Sequence, residues 1–504
     1  MIHTDVIIIG GGATGSGIAR DLTLRGIPHC LLEKKDLAAG ATGACHGLLH
    51  SGGRYVVQDL EVANECITEN QILSRIGDRC VETSGGLFVQ LPGDSDEYRD
   101  SFLERCLKAG IPTEELSPAQ ARELEPGLNP ELISAVRVPD AAIDPFRLCH
   151  LNVITSQRAG NTILTHHRVE AFVEEHGRFA GVTARNVFTN ESVEVRGKVI
   201  VNATGAWGDG IARLAGSEVP MVLSKGSLVI ANHRLTNRVI NRLRPPASGD
   251  IIVPNETVCL AGTTSMTVDD PDGVSVLPDE VDLIRREAGS MVPEFGEVRL
   301  IRSYTGVRPL LAPRENTGGD NRSINRGFQI IDHGGGLVSI LGGKLTTYRL
   351  MAEKIVDHIC DVFGIKQPCT TAERPLDGQE TIPGYPLSKR LENLSDVVCE
   401  CELVDRKTVE RVARETATGD IGDIQHRTRL GMGPCQGGFC TYRALGIMHD
   451  VGGLPVGERE EVLKRFLQRR FRGIVPVLWG DQLREEQLVE SIYLSAMGMK
   501  NDDL

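Results

Sequence analysis

Long hydrophobic runs are missing from this sequence of 504 residues. No stretch of 18 or more apolar residues is present, so the sequence predicts no membrane-spanning helix. The apolar start Val6–Ile9 lacks the basic segment and the cleavage site of a secretory signal peptide. We therefore expect a cytosolic protein.

An excess of positive charge is also missing. Lys and Arg total 55 against 68 Asp and Glu, which gives a formal net charge of −13. Broad binding to nucleic acid needs basic residues that neutralise phosphates, and the sequence has no basic tail to supply them. Nucleic acid is therefore not an expected partner.

Internal repeats and low-complexity tracts are absent, and the 13 cysteines do not form the dense framework of a small secreted disulfide protein. Nine cysteines are scattered as free or buried thiols would be, whereas four are grouped near the C-terminus. A chain of this length allows about three ordinary domains with a substantial apolar core.

The strongest positive signal is a glycine-rich motif at the N-terminus. The unbroken apolar run Val6–Ile9 predicts a buried parallel strand. Gly10, Gly12 and Gly15 follow in G-x-G-x-x-G spacing, which permits a tight turn, close approach to a pyrophosphate and close packing of the next helix. Glu33, 18 residues beyond Gly15, stands where an acidic side chain accepts hydrogen bonds from ribose hydroxyls. Together these features predict a dinucleotide site.

Three later segments are rich in small residues, and each could pass close to a flat ligand. Residues 39–55 also carry His46, His50, Arg54 and Tyr55. Ala203-Thr-Gly205 follows a predicted buried strand, although a glycine that merely ends a strand explains that segment equally well. The third segment includes Gly342 and Gly343, after which Lys344 is predicted to begin a helix over 345–363.

The expected organisation is discontinuous. A nucleotide-binding domain is assigned to 1–80, 145–215 and 334–365, and a mostly antiparallel substrate domain to 81–144 and 216–333. Pro and polar residues mark 366–392 as a linker. A four-cysteine domain covers 393–450, followed by a C-terminal extension, 451–504.

The four grouped cysteines predict a metal centre. Cys399 and Cys401 stand in C-x-C spacing, and Cys435 and Cys440 follow after 33 intervening residues in C-x4-C spacing. Four thiolates can hold zinc or an iron-sulfur cluster, and this spacing differs from the common C-x2-C zinc knuckle. Glycines 431, 433, 437 and 438 would free backbone amides to bond cluster sulfurs, which favours the cluster.

The extension contains a predicted amphipathic helix, 458–471. Its apolar face carries Leu463, Phe466, Leu467 and Phe471 among several basic residues. Such a helix could meet a partner protein or an anionic membrane surface, but docking on its own domain is favoured.

Taken together, these segments resemble the catalytic A subunits of anaerobic glycerol-3-phosphate dehydrogenases over nearly the whole chain. The stretches that carry the resemblance are Val6–Ile18, Gly47–Tyr55, Val138–Asp140, Asp144–Leu148, Lys225–Leu228, Gly262–Ser265, Tyr304–Leu310, Gly342–Arg349 and the four-cysteine domain. One departure is Ala44-Cys45, where the family often has Arg-Asn, so contacts from that loop are not carried over.

The resemblance implies an α/β fold: a glutathione-reductase-like, Rossmann-type FAD domain with an inserted antiparallel β-rich substrate domain. It also implies a small C-terminal ferredoxin-like domain, similar to bacterioferritin-associated ferredoxin, that holds a [2Fe-2S] cluster on Cys399, Cys401, Cys435 and Cys440. The expected cofactor contacts are Gly10, Gly12, Gly15, Glu33, Thr42, Gly43, His46, Gly47, Val169, Ala203, Gly205, Gly343, Lys344, Leu345 and Thr346.

The function implied is oxidation of sn-glycerol 3-phosphate to dihydroxyacetone phosphate, with hydride transfer to FAD. The implied partners are a second flavin-type subunit, plus a membrane-associated iron-sulfur subunit that passes electrons to quinone. They would attach the chain peripherally to the inner face of the cell membrane.

The residue types support this chemistry. Arg54, Arg308 and Arg326 can grip a phosphate, because the planar guanidinium matches its oxygens. His50 is the expected base, although a cationic Arg or Lys could instead stabilise the alkoxide. By resemblance, Arg308 and Lys344 lie near the flavin and the reacting carbon, and Tyr55 and Thr346 contact the substrate.

Two other interpretations stay open at this point. One is an amine or opine dehydrogenase subunit with a similar C-terminal domain. The other is a non-catalytic electron-transfer module whose flavin fold is structural. A cluster beside a flavin implies stepwise export of electrons to another carrier, because the cluster accepts one electron at a time.

Overall fold

A computed structural model describes residues 1–312, 327–378, 390, 394–416, 419–452, 454, 456–496 and 499. The strands are β1 (Ile2–His3), β2 (Val6–Ile9), β3 (His29–Leu32), β4 (Leu48–Leu49), β5 (Val81–Glu82), β6 (Gly86–Gln90), β7 (Glu114–Leu116), β8 (Ser134–Val138), β9 (Ala141–Ile143), β10 (Thr162–Leu164), β11 (His167–Glu175), β12 (Arg178–Asn186), β13 (Ser192–Arg196), β14 (Val199–Asn202), β15 (Met221–Ala231), β16 (Val239–Arg242), β17 (Ile251–Asn255), β18 (Val258–Gly262), β19 (Met266–Val268), β20 (Leu300–Leu311), β21 (Phe328–Asp332), β22 (Leu337–Gly342), β23 (Val397–Cys399) and β24 (Val404–Asp405). The helices are α1 (Ala13–Leu24), α2 (Leu60–Ile76), α3 (Asp96–Ala109), α4 (Pro118–Leu124), α5 (Pro145–Arg158), α6 (Gly208–Leu214), α7 (Pro278–Met291), α8 (Pro293–Glu297), α9 (Tyr348–Phe363), α10 (Arg406–Thr416), α11 (Ile421–Thr428), α12 (Cys440–Asp450), α13 (Arg459–Ile474) and α14 (Gln482–Ala496).

The first sheet has the order β10-β3-β2-β14-β22-β21, and all its strand pairs are parallel except β21–β22. It is covered on both faces. Side chains of β2 alternate between them: Val6 and Ile8 pack with α1, α5 and α9, whereas Ile7 and Ile9 pack with β11, β12 and β13. The apolar run at the N-terminus therefore forms the buried parallel strand that the sequence predicts.

The second sheet has the order β19-β15-β18-β17-β16-β6-β8-β7, with β20 also paired to β15. It is antiparallel except for the parallel pair β6–β16. Segments 81–144 and 216–312 contribute strands to this one sheet, whereas β21 joins the first sheet although it precedes the expected boundary at 333. Residue 226 of β15 lies opposite 306 of β20, and β20 also packs against β22 of the first sheet.

The chain between β22 and α9 differs from the prediction. The expected helix over 345–363 begins only at Tyr348, so the prediction of its start was wrong. Residues 344–347 form a turn in which the Thr347 N–H donates to the Lys344 carbonyl at 3.1 Å. Because of this turn, Lys344 and Leu345 lie at the carboxyl ends of the strands of the first sheet and not on the surface of a helix.

The C-terminal unit is built from β23, β24 and α10–α14 around its own apolar core. The apolar face of α13 is turned into that core, where Leu463, Phe466 and Leu467 are at most 4% exposed. Helix α13 also packs against β20. The predicted amphipathic helix thus docks on its own chain, which is the favoured alternative.

Buried ion pairs join this unit to the rest of the chain. The guanidinium of Arg429 donates to Glu402 and to Asp144, each at 2.9 Å. Arg390 bonds Glu256 at 2.6 Å, and that carboxylate also accepts from a further buried arginine of α5 at 3.1 Å. These charges have almost no access to solvent, so their mutual pairing fixes the position of the C-terminal unit.

Within the described residues no helix is long and apolar enough to cross a bilayer.

Candidate active site and thiol centre

A cavity of about 560 Å³ lies at the carboxyl ends of β2 and β14, between the two sheets. Ligands in open α/β sheets bind at this edge. The predicted site residues that line the cavity are Gly10, Gly12, Glu33, Thr42, His46, His50, Arg54, Tyr55, Val169, Ala203, Gly205, Arg308, Gly343, Lys344 and Leu345.

The glycines of the N-terminal motif are required for different reasons. A Cβ atom on Gly15 would lie 1.9 Å from the Gly10 carbonyl oxygen, and one on Gly10 would lie 2.5 Å from the Ala203 oxygen. Both glycines are therefore demanded by packing. A Cβ on Gly12 would meet only the Thr42 hydroxyl, at 3.1 Å, and Gly12 faces the cavity. Its small size keeps open the space where a ligand phosphate would approach the N-terminus of α1.

Glu33 is held at the cavity by the backbone. One carboxylate oxygen accepts from the Gly11 N–H at 2.8 Å and the other from the Lys35 N–H at 2.9 Å. Burial raises the pKa of Glu33. Because each oxygen has a second lone pair, the carboxylate can still accept from ribose hydroxyls.

A compact aromatic group forms the other end of the cavity. The His50 ring centroid lies 5.4 Å from that of Tyr55 and 6.0 Å from that of His46. The Lys344 ammonium lies 5.3 Å from the centre of the Tyr55 ring, which is a cation–π distance. The chain thus brings together a predicted base, a predicted substrate contact and a predicted catalytic cation.

Both histidines are held neutral. Burial, followed by the neighbouring His46, Arg54 and Lys344, lowers the pKa of His50 well below its usual value. Burial, followed by Arg54 and Arg308, lowers the pKa of His46 to about 3. A neutral imidazole has a free lone pair, so His50 is in the protonation state that a general base requires, and its lowered pKa makes it a weak base in the empty cavity.

The two described arginines are anchored by groups that the sequence analysis did not assign to the site. Arg54 donates to Asp250 at 2.6 Å and to the Ala247 carbonyl at 3.2 Å. Arg308 donates to the Thr263 hydroxyl and to the Thr264 carbonyl. Thr263 and Thr264 belong to a family-like stretch, whereas no local pattern marks Asp250. Arg326, the third predicted phosphate ligand, lies outside the described residues.

Among the predicted ligand contacts that the structure describes, four do not line this cavity. Thr346 is fully buried, and its hydroxyl accepts from the backbone N–H of His50 at 3.0 Å, so it holds the backbone that carries the predicted base. Gly15 lies beneath the turn against Gly10. Gly43 and Gly47 face a second cavity, on the side of the C-terminal unit.

One side of the cavity is formed by residues that no sequence pattern predicted. The Lys34 ammonium lies 3.9 Å from the Trp207 ring centre, and the Trp207 indole N–H donates to Asp272 at 2.9 Å. Both Lys34 and Trp207 line the cavity beside Glu33. Two tryptophans in 504 residues gave no periodic signal that could have identified this wall.

The four grouped cysteines meet in the C-terminal unit. Their thiols form a chain of contacts from Cys399 through Cys440 and Cys435 to Cys401. The Cys440 thiol, and then backbone N–H groups of residues 437 and 438, lower the pKa of Cys435 to about 5. Within the described parts of the chain, no group of three or more His, Cys, Asp or Glu side chains surrounds a single metal-ion position.

This thiol centre has the donors that an iron-sulfur cluster needs. Residues 431, 437 and 438 direct backbone N–H groups at the thiols, as N–H···S bonds to a cluster require. Gly433 is packed so closely that a Cβ there would lie 2.4 Å from that of Cys401. All thirteen cysteines lie within the described residues, and none of them forms a disulfide.

The fold and the two centres define a flavoprotein oxidoreductase that carries an iron-sulfur domain. Residues 5–349 match the family described as FAD dependent oxidoreductase, and residues 397–450 match the BFD-like [2Fe-2S] binding domain. The cofactors are FAD and a [2Fe-2S] cluster.

The chain is 41% identical to the A subunit of the anaerobic glycerol-3-phosphate dehydrogenase of Escherichia coli K12, covering 99% of this chain and 98% of that one. The A1 subunit of the Haloferax volcanii enzyme is also 41% identical, covering 99% and 91%. The chain therefore belongs to the family of anaerobic glycerol-3-phosphate dehydrogenase A subunits.

A solved structure shares the fold. The glycerol-3-phosphate dehydrogenase of Bacillus halodurans, complexed with FAD, superposes with a TM-score of 0.67 at 22% identity and covers 95% of this chain and 96% of its own. The L-alpha-glycerophosphate oxidase of Mycoplasma pneumoniae, with FAD bound, gives 0.60 at 21% identity, covering 71% and 94%. At these identities the likeness supports the fold alone.

FAD fits the cavity on structural grounds. Gly12, the N-cap of α1, has no side chain to cap the helix, and the first turn of α1 carries no acidic residue. The N–H groups that follow Ala13 can therefore receive a pyrophosphate. Gly12 leaves space at that point, and Glu33 stands where a ribose would follow. Thr42, whose hydroxyl accepts from the Ala13 N–H at 3.1 Å, closes the same turn.

Proposed function

We propose that the chain oxidises sn-glycerol 3-phosphate to dihydroxyacetone phosphate and exports the electrons through its cluster to partner proteins and quinone. The observation that carries the proposal is the neutral, buried His50 surrounded by Arg54, Arg308 and Lys344 in one cavity. A secondary alcohol that bears a phosphate needs a base for its hydroxyl proton and cations for its phosphate.

The roles follow from the contacts. Arg54, which Asp250 holds in place, binds the phosphate dianion. A ring nitrogen of His50 takes the hydroxyl proton while the C2 hydrogen leaves with its electron pair. Lys344, beside Tyr55, stabilises the negative charge that develops on the C2 oxygen. FAD, when bound, accepts the hydride.

Arg308 is placed to act at the reacting carbon. Its guanidinium is fixed by the Thr263 hydroxyl and the Thr264 carbonyl, so it cannot swing away from the cavity. A cation immobilised in this way stabilises developing charge without the cost of reorganisation during the reaction. We therefore assign Arg308 with Lys344 to stabilisation of the transition state.

The thiol centre supports export of electrons from the chain. Cys399, Cys401, Cys435 and Cys440 would hold the [2Fe-2S] cluster, which takes one electron at a time. Two aromatic side chains beside the last ligand are exposed, Phe439 by 62% and Tyr442 by 51%. We assign this surface to the docking of the iron-sulfur partner, because exposed aromatic residues are typical of protein interfaces.

The partners complete the proposal. The membrane-associated iron-sulfur subunit, together with the second flavin-type subunit, would hold the chain at the inner face of the cell membrane. The names of the relatives, which are designated A subunits of a dehydrogenase, support the expectation of partner subunits.

The test is an anaerobic visible spectrum before and after addition of sn-glycerol 3-phosphate. We expect the flavin band of the parent to bleach and that of Arg308→Ala to bleach far more slowly at equal flavin content. Glycerol, which lacks the phosphate, is the control donor. A fully loaded flavin that responds to amines but not to this substrate would contradict the proposal and favour an amine dehydrogenase. A flavin that responds to no small donor would favour an electron-transfer module.

A further inference from the structure

A second cavity, of about 530 Å³, lies between the nucleotide-binding domain and the thiol centre. On one side it is lined by residues of the loop before β4, and on the other by Gly431, Met432 and Gln436 of the cysteine-bearing loop. The two cavities share the lining residues Lys34, Lys35, Ala39, Ala44, Cys45 and His46. Residues 44–46 are therefore a single stretch of backbone that separates the FAD cavity from the second cavity. We call this stretch the wall.

Strand β20 holds this wall. The Tyr304 hydroxyl donates to the Cys45 carbonyl at 2.9 Å. Two residues further along the strand, a Cβ on Gly306 would lie 2.7 Å from that of Ala44, so the strand and the wall are in direct contact there. Tyr304 is thus the polar link between the wall and the second sheet.

The same strand reaches the thiol centre. Arg302 precedes Tyr304 by two residues, so both side chains leave the same face of β20. The Arg302 guanidinium lies 3.5 Å from the Gln436 amide oxygen and donates to the Arg469 carbonyl at 3.2 Å. Gln436 is bonded along the backbone to the cluster ligand Cys435, and its side-chain amide donates to the Gly433 carbonyl at 3.0 Å.

We propose that Tyr304 is a positioning residue for electron transfer between the two cofactors. It fixes the wall so that a connected route of bonds and hydrogen bonds runs from Cys45 through β20 to Gln436. The proposal rests on the function proposed above. Electron tunnelling weakens much faster across empty space than through bonded atoms, so a wall that moves away from Tyr304 would slow the transfer.

The electrons balance in single steps. Each transfer removes one electron from the reduced flavin and reduces the cluster by one. The second electron follows once the cluster has passed the first to the iron-sulfur partner, which is the acceptor in the proposed function. The proton that the reduced flavin would release with its two electrons leaves on the FAD side of the wall, so only electrons cross it. The Tyr304 hydroxyl keeps its own proton as the donor to the Cys45 carbonyl.

The first experiment is rapid anaerobic mixing of the holoenzyme with sn-glycerol 3-phosphate, following the flavin band and the cluster spectrum separately. In Tyr304→Phe we expect flavin bleaching at the rate of the parent and cluster reduction slowed several-fold. Tyr348→Phe is the matched control, because Tyr348 is buried against Gly17, away from the wall. Both rates should stay unchanged in that variant.

The second experiment is hydrogen exchange of the protein without substrate. Loss of this partly buried hydrogen bond should speed exchange of the amides of residues 44–48 in Tyr304→Phe by about twofold to tenfold. Unchanged exchange in this segment, or a cluster reduced as fast as in the parent, would overturn the proposal.

The proposed function and the proposed role of Tyr304 can fail separately. If the parent flavin is not bleached by sn-glycerol 3-phosphate, the proposed function fails. Photochemical reduction of the flavin then replaces the substrate, and the rate of cluster reduction in Tyr304→Phe against the parent still decides the role of Tyr304.

Discussion

The guanidinium of Arg54 donates to a carboxylate oxygen of Asp250 at 2.6 Å, and the other oxygen accepts from the Ala247 N–H at 2.7 Å. The two residues are 196 positions apart, and Asp250 is 1% exposed. One carboxylate therefore fixes both a substrate-site cation and the loop that closes over it.

Asp250→Asn should weaken substrate binding. The amide keeps the size of the side chain but removes the charge that holds Arg54, so we expect KM to rise by about tenfold, the cost of one charge-assisted hydrogen bond. Steady-state kinetics would show kcat much less affected and FAD content unchanged. Asp94→Asn is the control, because Asp94 pairs with Arg242 at 2.5 Å and does not line the cavity. An equal rise in KM in both variants would contradict a specific role for Asp250.

Arg429→Ala should release the C-terminal unit. It leaves Asp144 and Glu402 buried without their shared partner, and breaking a buried pair costs about 3–5 kcal/mol. Thermal unfolding followed at the cluster spectrum should shift to lower temperature, with loss of cluster before loss of flavin. Arg443→Ala removes the exposed pair with Glu400, whose side chains are 47% and 61% exposed, and should change stability by less than about 1 kcal/mol. If both variants lose cluster equally, the buried pairs do not hold the unit.

Gly12→Ala should fold but bind FAD weakly. The added methyl group would enter the space beside the N-terminus of α1, where backbone N–H groups face the cavity. Titration of the apoprotein with FAD should show a raised Kd at unchanged unfolding temperature. Gly210→Ala is the control: Gly210 also lines the cavity, but a Cβ there meets no atom within 4 Å. A parent-like Kd for Gly12→Ala would exclude a phosphate near that residue.

Acid should destabilise the protein in part through His29. Burial lowers the pKa of His29 to about 4, and the ring nitrogen Nδ1 lies 3.0 Å from the Ile27 carbonyl. The unfolded chain takes up this proton near pH 6.5, whereas the folded chain does so only near pH 4. Stability is therefore lost as pH falls through this window, by roughly 3 kcal/mol for this group.

Urea unfolding at pH 7 and pH 5 tests the role of His29. His29→Gln should show a smaller loss of unfolding free energy on acidification than the parent, whereas His233→Gln, at an exposed position, should behave like the parent. An equal loss in all three proteins would assign the acid sensitivity to other groups.

Local patterns predicted much of the fold and part of the site. The run Val6–Ile9 and the glycines at 10, 12 and 15 specify a buried strand and a tight turn through their own residue types. The spacing of Glu33 and of the four cysteines likewise places chemical groups by short stretches of chain. These predictions depend on interactions between neighbours in sequence, which a sequence shows directly.

The wrong or missing predictions involve partners far apart in the chain. The helix start at 345 was wrong because Thr346 is used by His50, nearly 300 residues away, and the intervening turn satisfies backbone groups that a helix would have used. The role of Asp250 in the site was not predicted, because Asp250 and Arg54 are 196 residues apart in the sequence and meet only in the folded chain.

Short-range features of the chain predict most of the elements and the chemical groups that they carry, because apolar periodicity, glycine spacing and the C-x-C and C-x4-C spacings act over a few residues. Which of those groups meet is known only from the folded chain. The pairing of β15 with β20 sets Arg308 beside the cavity and Tyr304 against the wall at Cys45, and buried charges such as Arg429 position the thiol centre. Such contacts form between distant residues because a buried charge or hydroxyl without a partner raises the free energy of the folded state, and no local pattern encodes which partner it meets.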